Sequence, residues 1–281
     1  MLNLSNTTLL CVENRSPELG LYAINKCLDQ ATFHDVVFIT NKQKINLNNP
    51  KIKLYECPNF KNGDEYSIFM LRDLHRYFST DFCLVIQWDG FIVNPLMWQS
   101  DFFKYDYVGS SWPHHPDTPV GNGGFSLRSK KLAMATAHPK FNCSHPEDKS
   151  ICIENKYFLE TQLSIKFAPK EIADHFAVEW ETWRSTFGFH GLFNFTHFMN
   201  HKELKNYIEN LPTQMLGGHD TYLLIDALLR SPQNKSNLWL ALSVLKKTRP
   251  RRVQRYKLHR AHIKRYLIIM YQIFKFGLSR T

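Results

Sequence analysis

The chain lacks a Gly-x-Gly-x-x-Gly after its first apolar run and has no Gly-x-x-x-x-Gly-Lys-[Ser/Thr]. A glycine-cradled dinucleotide or P-loop site is therefore excluded, and a nucleotide bound here would need other groups on its phosphates. The six cysteines form no Cys-x-x-Cys pair, and Cys143 and Cys152 are too loosely patterned with His145 for a zinc site. Cys11, Cys27, Cys57 and Cys83 lie inside apolar segments and read as small packed hydrophobes, reduced in a cytoplasmic protein. No run reaches the roughly 18 apolar residues of a membrane span; residues 266–278 come nearest, with ten apolar residues in thirteen. Met1-Leu2-Asn3-Leu4-Ser5 has no charged n-region, so no signal peptide is expected. Acidic residues are missing from residues 244–281, which hold twelve of the 35 Lys and Arg residues. The other 23 stand beside all 25 acidic residues in residues 1–243, so the +10 net charge belongs to the tail. A nearly neutral body offers nucleic acid no wide electrostatic footprint, and no nucleic-acid partner is expected.

What is present is a globular composition, 43% apolar and 14% aromatic over 281 residues. Thr8-Leu9-Leu10-Cys11-Val12 predicts a first strand, and Glu13-Asn14-Arg15-Ser16-Pro17 the turn leaving it. Ser16 is placed to cap a helix opening at Pro17. Asp35-Val36-Val37-Phe38-Ile39-Thr40 and Ile52-Lys53-Leu54-Tyr55-Glu56-Cys57 read as further strands, and residues 64–78 as a helix. Strand, helix, strand at this length implies parallel pairing and an open doubly wound sheet. Later segments predict a strand at Tyr105-Asp106-Tyr107-Val108-Gly109, helices over residues 130–137, 150–160 and 170–175, and a largely helical stretch over 202–245. Residues 110–120, with three prolines and His114-His115, read as a flexible lid.

Three stretches carry candidate chemistry. Cys83-Leu84-Val85-Ile86-Gln87-Trp88-Asp89-Gly90 is a buried run breaking into a lone carboxylate, which places Asp89 at a strand end facing a pocket. The plainer alternative is a turn Asp before Gly. From there Asp89 could hold a divalent cation, and Arg15 could add a bidentate phosphate contact. Gly121-Asn122-Gly123-Gly124-Phe125 lets the backbone approach a ligand closely, or is only a tight turn. His145-Pro146-Glu147-Asp148 sets two acids before a helix, where they are dipole partners or, near a sugar hydroxyl, a general base. The glycines around His190 leave its imidazole able to ligate a metal, although a lone His is commonly structural.

Taken in order, Gln87-Trp88-Asp89-Gly90, Tyr105-Asp106-Tyr107-Val108-Gly109, Gly121-Asn122-Gly123-Gly124-Phe125-Ser126-Leu127-Arg128-Ser129, Glu147-Asp148 and Phe187-Gly188-Phe189-His190-Gly191 resemble a bacterial family of glycosyltransferases long catalogued only as a domain of unknown function. The resemblance covers about residues 7–195 and is related in pattern to GT-A enzymes. It implies a GT-A-like, open Rossmann-type mixed sheet flanked by helices over residues 1–200, with a helical, basic C-terminal region over 201–281. It implies transfer of a sugar from a nucleotide-sugar donor, UDP-linked first among the choices, to a hydroxyl of a glycan or glycolipid such as a surface polysaccharide or lipopolysaccharide. Glu13, Asn14, Arg15, Gln87, Trp88 and Asp89 would contact the donor. Asp89 and His190 would hold Mn2+ or Mg2+, with Gln87 standing where the first acid of an Asp-x-Asp pair is usual. Asn122, Gly123, Gly124 and Phe125 would line the sugars, and Asp148, beside Glu147, would be the base of an inverting reaction. A catalytically silent carbohydrate-binding or scaffold protein is the alternative.

Residues 246–278 combine basic residues with an apolar segment. Arg255, His259, His262 and Lys264 with Leu258, Ile263 and Leu267 suggest a basic amphipathic helix on an anionic membrane surface, which would make the enzyme peripheral on the inner face of the cytoplasmic membrane. A packed terminal helix with a solvated face is the other reading.

Overall fold

The structure is a computed structural model that describes residues 1–47, 49–115, 117–118, 120–230, 235–248 and 255–275, with side chains from 236 and from 262 in the last two segments. The chain divides into two compact units, Met1–His190 and Gly191–Thr281.

The first unit opens with β1 (Leu2–Glu13), α1 (Pro17–Leu28), β2 (Ala31–Thr40), β3 (Ile52–Glu56), α2 (Gly63–Arg72) and β4 (Phe82–Ile86). These are followed by β5 (Gly90–Ile92), β6 (Tyr107–Val108), β7 (Ser110–Ser111), β8 (Val120–Gly121) and β9 (Phe125–Ser129). The unit ends with α3 (Lys130–Thr136), α4 (Glu147–Lys149), α5 (Lys156–Leu163), α6 (Lys170–Phe176), β10 (Ala177–Val178) and β11 (Gly188–His190). Six strands form one mixed sheet in the order β3-β2-β1-β4-β9-β6. β1, β2, β3 and β4 pair in parallel, while β9 runs antiparallel to β4 and β6. The expected mixed α/β sheet flanked by helices is what forms. The strand path leaves β1 toward β2 and β3 and then crosses back to place β4 on β1's other side. The carboxyl ends of β1 and β4 thus meet at a topological switch point, where open α/β sheets bind ligands.

The apolar runs explain the core. Leu10, Val12, Val37, Ile39, Cys83 and Val85 from neighbouring strands pack with Phe69, Met70 and Leu74 on one face of the sheet. All six cysteines are free thiols, five of them buried and Cys143 half-buried. A smaller sheet, β10-β11-β5, is joined antiparallel between β11 and β5.

Several local expectations are corrected. Ser16 stands at the N-cap position of α1 but makes no side-chain capping bond; the Glu13 carboxylate takes its backbone N–H instead, at 3.2 Å. The helix expected over 64–78 ends at Arg72 and continues only as a short 3-10 turn, Leu74–Arg76. The strand around Tyr107 shrinks to two residues, because Asp106 is drawn aside by Lys166 and Ser129. The helix expected over 150–160 begins at Glu147 and is interrupted by a π turn, Ser150–Glu154. The Asn155 side chain, which donates to the carbonyls of Asn142 and Ser150, accounts for the break. Residues 110–120, read as a flexible lid, are pinned at both ends where β7 pairs with β8; Pro116 and Pro119 lie outside the described residues.

The second unit contains α7 (His201–Asn210), α8 (His219–Arg230), α9 (Lys235–Lys247) and α10 (Arg255–Lys275). A capping box of Asn200 and Glu203 starts α7. On α10, Ile269 and Ile273 are buried and Arg265 grips Asp226 of α8. Arg255, Leu258 and His259, named above for a basic face, lie outside the residues whose side chains are described, and residues 249–254 and 276–281 lie outside the described residues altogether. No helix of the described residues is long and apolar enough to cross a membrane.

Candidate active site

Asp89 ends the turn that leaves β4, where the Gln87 N–H donates to the Gly124 carbonyl at 2.8 Å and the Gly90 N–H to the Gln87 carbonyl at 3.2 Å. It is 5% exposed. The small sheet then does what the sequence could not show. β5 pairs with β11 so that Gly90 faces His190, and β10 lies beside β11 and hands the chain to Glu179. Asp89, Glu179 and His190, far apart in sequence, thereby converge. His190 Nδ1 is 2.7 Å from Glu179 Oε1, and its Nε2 is 3.3 Å from Asp89 Oδ1. Burial works against the imidazolium, but Asp89 and Glu179 outweigh it and raise the His190 pKa well above the ordinary value. The ring thus stands between two carboxylates that favour its protonated form.

Two of these groups, Asp89 and His190, could hold a divalent cation, with Glu179 behind the imidazole. Among the described residues, buried Asp89 Oδ1 meets no hydrogen-bond donor in good geometry. Two ligand atoms each about 2.1 Å from one cation at right angles stand about 3 Å apart, close to the Oδ1–Nε2 separation. Glu179 on Nδ1 is the outer carboxylate that orients metal-binding histidines. Among the described residues no group of three His, Cys, Asp or Glu side chains is set to hold a metal by itself, so phosphate oxygens would complete such a site.

The second corner is the acid pair. Glu147 is buried and meets Arg128 Nη2 at 3.2 Å, both side chains being almost wholly enclosed. Arg128 also donates to the Gly123 carbonyl at 3.2 Å and to Ser126 Oγ at 3.0 Å. Asp148 is half-buried and accepts from the Gly123 N–H at 3.2 Å and the Lys149 N–H at 2.8 Å. Burial, and then the neighbouring Glu147 charge, raise its pKa. One acid is thus committed to an internal ion pair, while the other is held by backbone N–H groups.

The glycine loop separates the two corners. A Cβ on Gly123 would sit 2.1 Å from Glu147 Oε1, and one on Gly124 would sit 2.0 Å from His190 Nε2. These glycines make room for the protein's own side chains. Asn122 adopts φ 77° and its Oδ1 accepts from the Gly124 and Phe125 N–H groups at 2.9 and 3.3 Å, a conformation Asn tolerates. Asn122 is 1% exposed, and Phe125 is fully buried against Phe176 and Phe187. Their contribution is to hold the loop.

At the end of β1, Glu13 accepts from the Arg15 N–H at 2.7 Å and pairs with Arg15 Nη2 at 3.0 Å. Burial lowers the Arg15 pKa, but Glu13 more than offsets it, and the fields of Asp89 and Tyr66 add to the rise. Arg15 is half exposed and keeps its charge at the mouth of the site; Glu13 is its anchor, and Asn14 is half-buried in the same turn. Gln87 Nε2 donates to the Tyr66 hydroxyl at 3.0 Å, whereas Trp88 is buried. Arg128, Glu179 and Tyr66 were not singled out from the sequence as functional residues. Ala177-Val178-Glu179 repeats in miniature the apolar-run-then-acid pattern of Asp89. Tyr66 and Arg128 had no comparable signal, because each looks like an ordinary helix or strand residue.

These features define an α/β protein with a carboxylate–histidine centre at the switch point of a mixed sheet and a second acidic centre across a glycine loop. The chain belongs to the family described as "Protein of unknown function (DUF5672)", whose model matches residues 49–190. No curated protein matches it. Among solved structures it is similar to a mannosyltransferase from Pyrobaculum calidifontis in complex with GDP-Man and Mn2+, at 9% identity over 86% of this chain and 74% of that one, with a TM-score of 0.41. It is also similar to the apo-form glycosyltransferase GlyE of Streptococcus pneumoniae TIGR4, at 9% identity over 70% of this chain and 55% of that one, TM-score 0.39. A third likeness is to the galactosyltransferase LgtC in complex with donor and acceptor sugar analogs, at 9% identity over 65% of this chain and 86% of that one, TM-score 0.38. Scores at this level leave the chemistry to be read from the site itself.

Proposed function

We propose that the unit Met1–His190 is a GT-A-like catalytic domain that moves a sugar from a nucleotide-sugar donor to a hydroxyl of a glycan or glycolipid, with inversion. The observation that carries this reading is the placement of Asp89, His190 and Glu179 at the β1/β4 switch point, across the glycine loop from Asp148. Asp89 and His190 would hold a divalent cation, Mn2+ or Mg2+, which when bound supplies positive charge to the donor's diphosphate. Arg15 adds a fixed cation on the same side. Gln87, braced by Tyr66, offers its amide to the donor's ribose or sugar. The acceptor hydroxyl oxygen bonds to the anomeric carbon as the bond from that carbon to the diphosphate oxygen breaks, and its proton passes to Asp148. The raised pKa of Asp148 suits a base of this kind.

Calorimetry of nucleoside diphosphates and nucleotide sugars, with and without manganese, tests the donor half. Asp89→Ala is expected to weaken manganese-dependent nucleotide binding by at least about tenfold, and Glu179→Gln by about 10–100-fold through misorientation of His190. Unchanged affinity in both variants would remove the metal role. If no nucleotide binds the wild-type chain, the reading as a catalytically silent carbohydrate-binding protein replaces this one.

The acceptor side of the proposal includes an anionic membrane surface. On α10, Ile263, Tyr266, Leu267, Ile268, Met270, Tyr271 and Phe274 are all at least 36% exposed, Phe274 at 86%. The helix and its flanks carry basic residues with no acid. Each Lys or Arg near anionic lipid contributes about 1 kcal/mol. Full-length protein should co-sediment with phosphatidylserine vesicles and not with neutral ones, and the triple variant Leu267→Glu, Tyr271→Glu, Phe274→Glu should lose most of that binding. Equal sedimentation of variant and wild type would refute it.

A further inference from the structure

An exposed pair of rings stands beside the two acidic corners and has no part in the chemistry above. Trp180 follows Glu179 directly and is 36% exposed. His114, exposed on the segment between β7 and β8, meets it edge to face at 6.1 Å and 81°. Behind His114 lie His115, at 4.6 Å between centroids, and the buried Trp112, at 5.9 Å. The carboxylates of both Glu179 and Asp148 act on the His114 imidazole, and Trp180 is bonded directly to Glu179. Partial burial and the neighbouring His115 nonetheless outweigh them and lower its pKa, which keeps the ring neutral near pH 7.

The two rings are held in place by one polar cluster. Asp174 accepts from the Ser111 hydroxyl, three residues before His114, and pairs with Lys170 at 2.8 Å and Arg184 at 2.6 Å. Lys170 and Arg184 also reach Glu181, next to Trp180, at 3.3 and 2.5 Å. Both ring-bearing segments therefore join one cluster of Lys170, Asp174 and Arg184, in which Lys170 reaches both Ser111 and Glu181. An exposed, pre-positioned aromatic pair with carboxylates at its edge suits a ligand with an apolar face and a rim of hydroxyl groups. A pyranose has both: axial C–H groups for the rings and hydroxyls for the acids.

We propose that His114 and Trp180 form the acceptor subsite, taking a hexopyranose by its C–H face and turning one of its hydroxyls toward Asp148. This rests on the glycosyltransferase reading for its role, though not for its existence. The ligand class is a neutral hexopyranose, whose C–H face and hydroxyl rim match rings and acids.

Saturation-transfer NMR of the full chain with methyl α-D-mannopyranoside, methyl β-D-galactopyranoside and methyl β-D-glucopyranoside tests it. At least one should take saturation at its ring C–H protons. Trp180→Ala and His114→Ala should each raise its Kd by about tenfold, and Trp180→Tyr should restore most of the loss by returning a ring. Trp180 is about one-third exposed, so melting curves are recorded beside each Kd, and recovery in Trp180→Tyr separates ring stacking from lost packing. No saturation of any of the three by the wild-type chain, an unchanged Kd in Trp180→Ala, or no recovery in Trp180→Tyr overturns the proposal. Sugar binding by a chain that binds no nucleotide would overturn the enzyme reading and leave the ring subsite standing.

Discussion

Asp148→Asn is expected to slow sugar transfer by about 10²–10⁴-fold while nucleotide binding persists, because a general base contributes about that much and the donor contacts lie on the far side of the glycine loop. The wild-type rate should rise with pH through a carboxylate pKa displaced upward by burial and by Glu147, and that limb should vanish in the variant. Stability should move the opposite way. A carboxyl whose folded pKa lies above its unfolded value of about 3.9 penalises the fold once both states are ionised, and the penalty disappears when both are protonated. Asp148→Asn should therefore melt higher than the wild type near pH 7, with the advantage fading as the pH falls through the folded pKa toward 3.9. Single-turnover transfer, calorimetry and melting curves across pH check the three parts. Near-normal turnover would remove Asp148 from the base role.

Arg128→Met should cost about 3–5 kcal/mol of stability, the usual result of leaving one partner of a buried ion pair alone. The pair here is Arg128 and Glu147, both almost wholly enclosed. At about 2–4 °C per kcal/mol for a domain of this size, the melting temperature should fall by roughly 10 °C. Restoring neutrality with the double variant Arg128→Met, Glu147→Gln should recover part of the loss, since no uncompensated charge then remains. Arg128 also donates to the Gly123 carbonyl, so the single variant should loosen the loop beside Asp148. Denaturant unfolding of the two variants against wild type measures this, and a loss below about 1 kcal/mol would mean that water or another group compensates Glu147.

The main sheet was legible because its strands are continuous apolar runs separated by helical spacing, and the acid at the end of β4 was legible because an unpaired carboxylate does not sit inside such a run. The π turn after Glu147 was not, since it depends on the Asn155 amide reaching back to two carbonyls. Nor was the convergence of Glu179 on His190. β10 and β11 are only two and three residues long, too short to show a period, and their register on β5 is a tertiary fact. Glu147 and Asp148 looked equivalent as neighbours in sequence. Only the burial of Arg128, brought by β9 alternation to face one of them, divides their roles.

In the proposed reaction, the loop at Gly123 and Gly124 also bears on which sugars are accepted. Its bare main chain is wedged between Glu147 on one side and His190 on the other. That main chain has no rotamers to adjust, so the spacing it keeps between His190 and the acid pair is fixed by backbone. A donor of different bulk would then have to shift its own pose, and discrimination between sugars would fall to groups outside this loop.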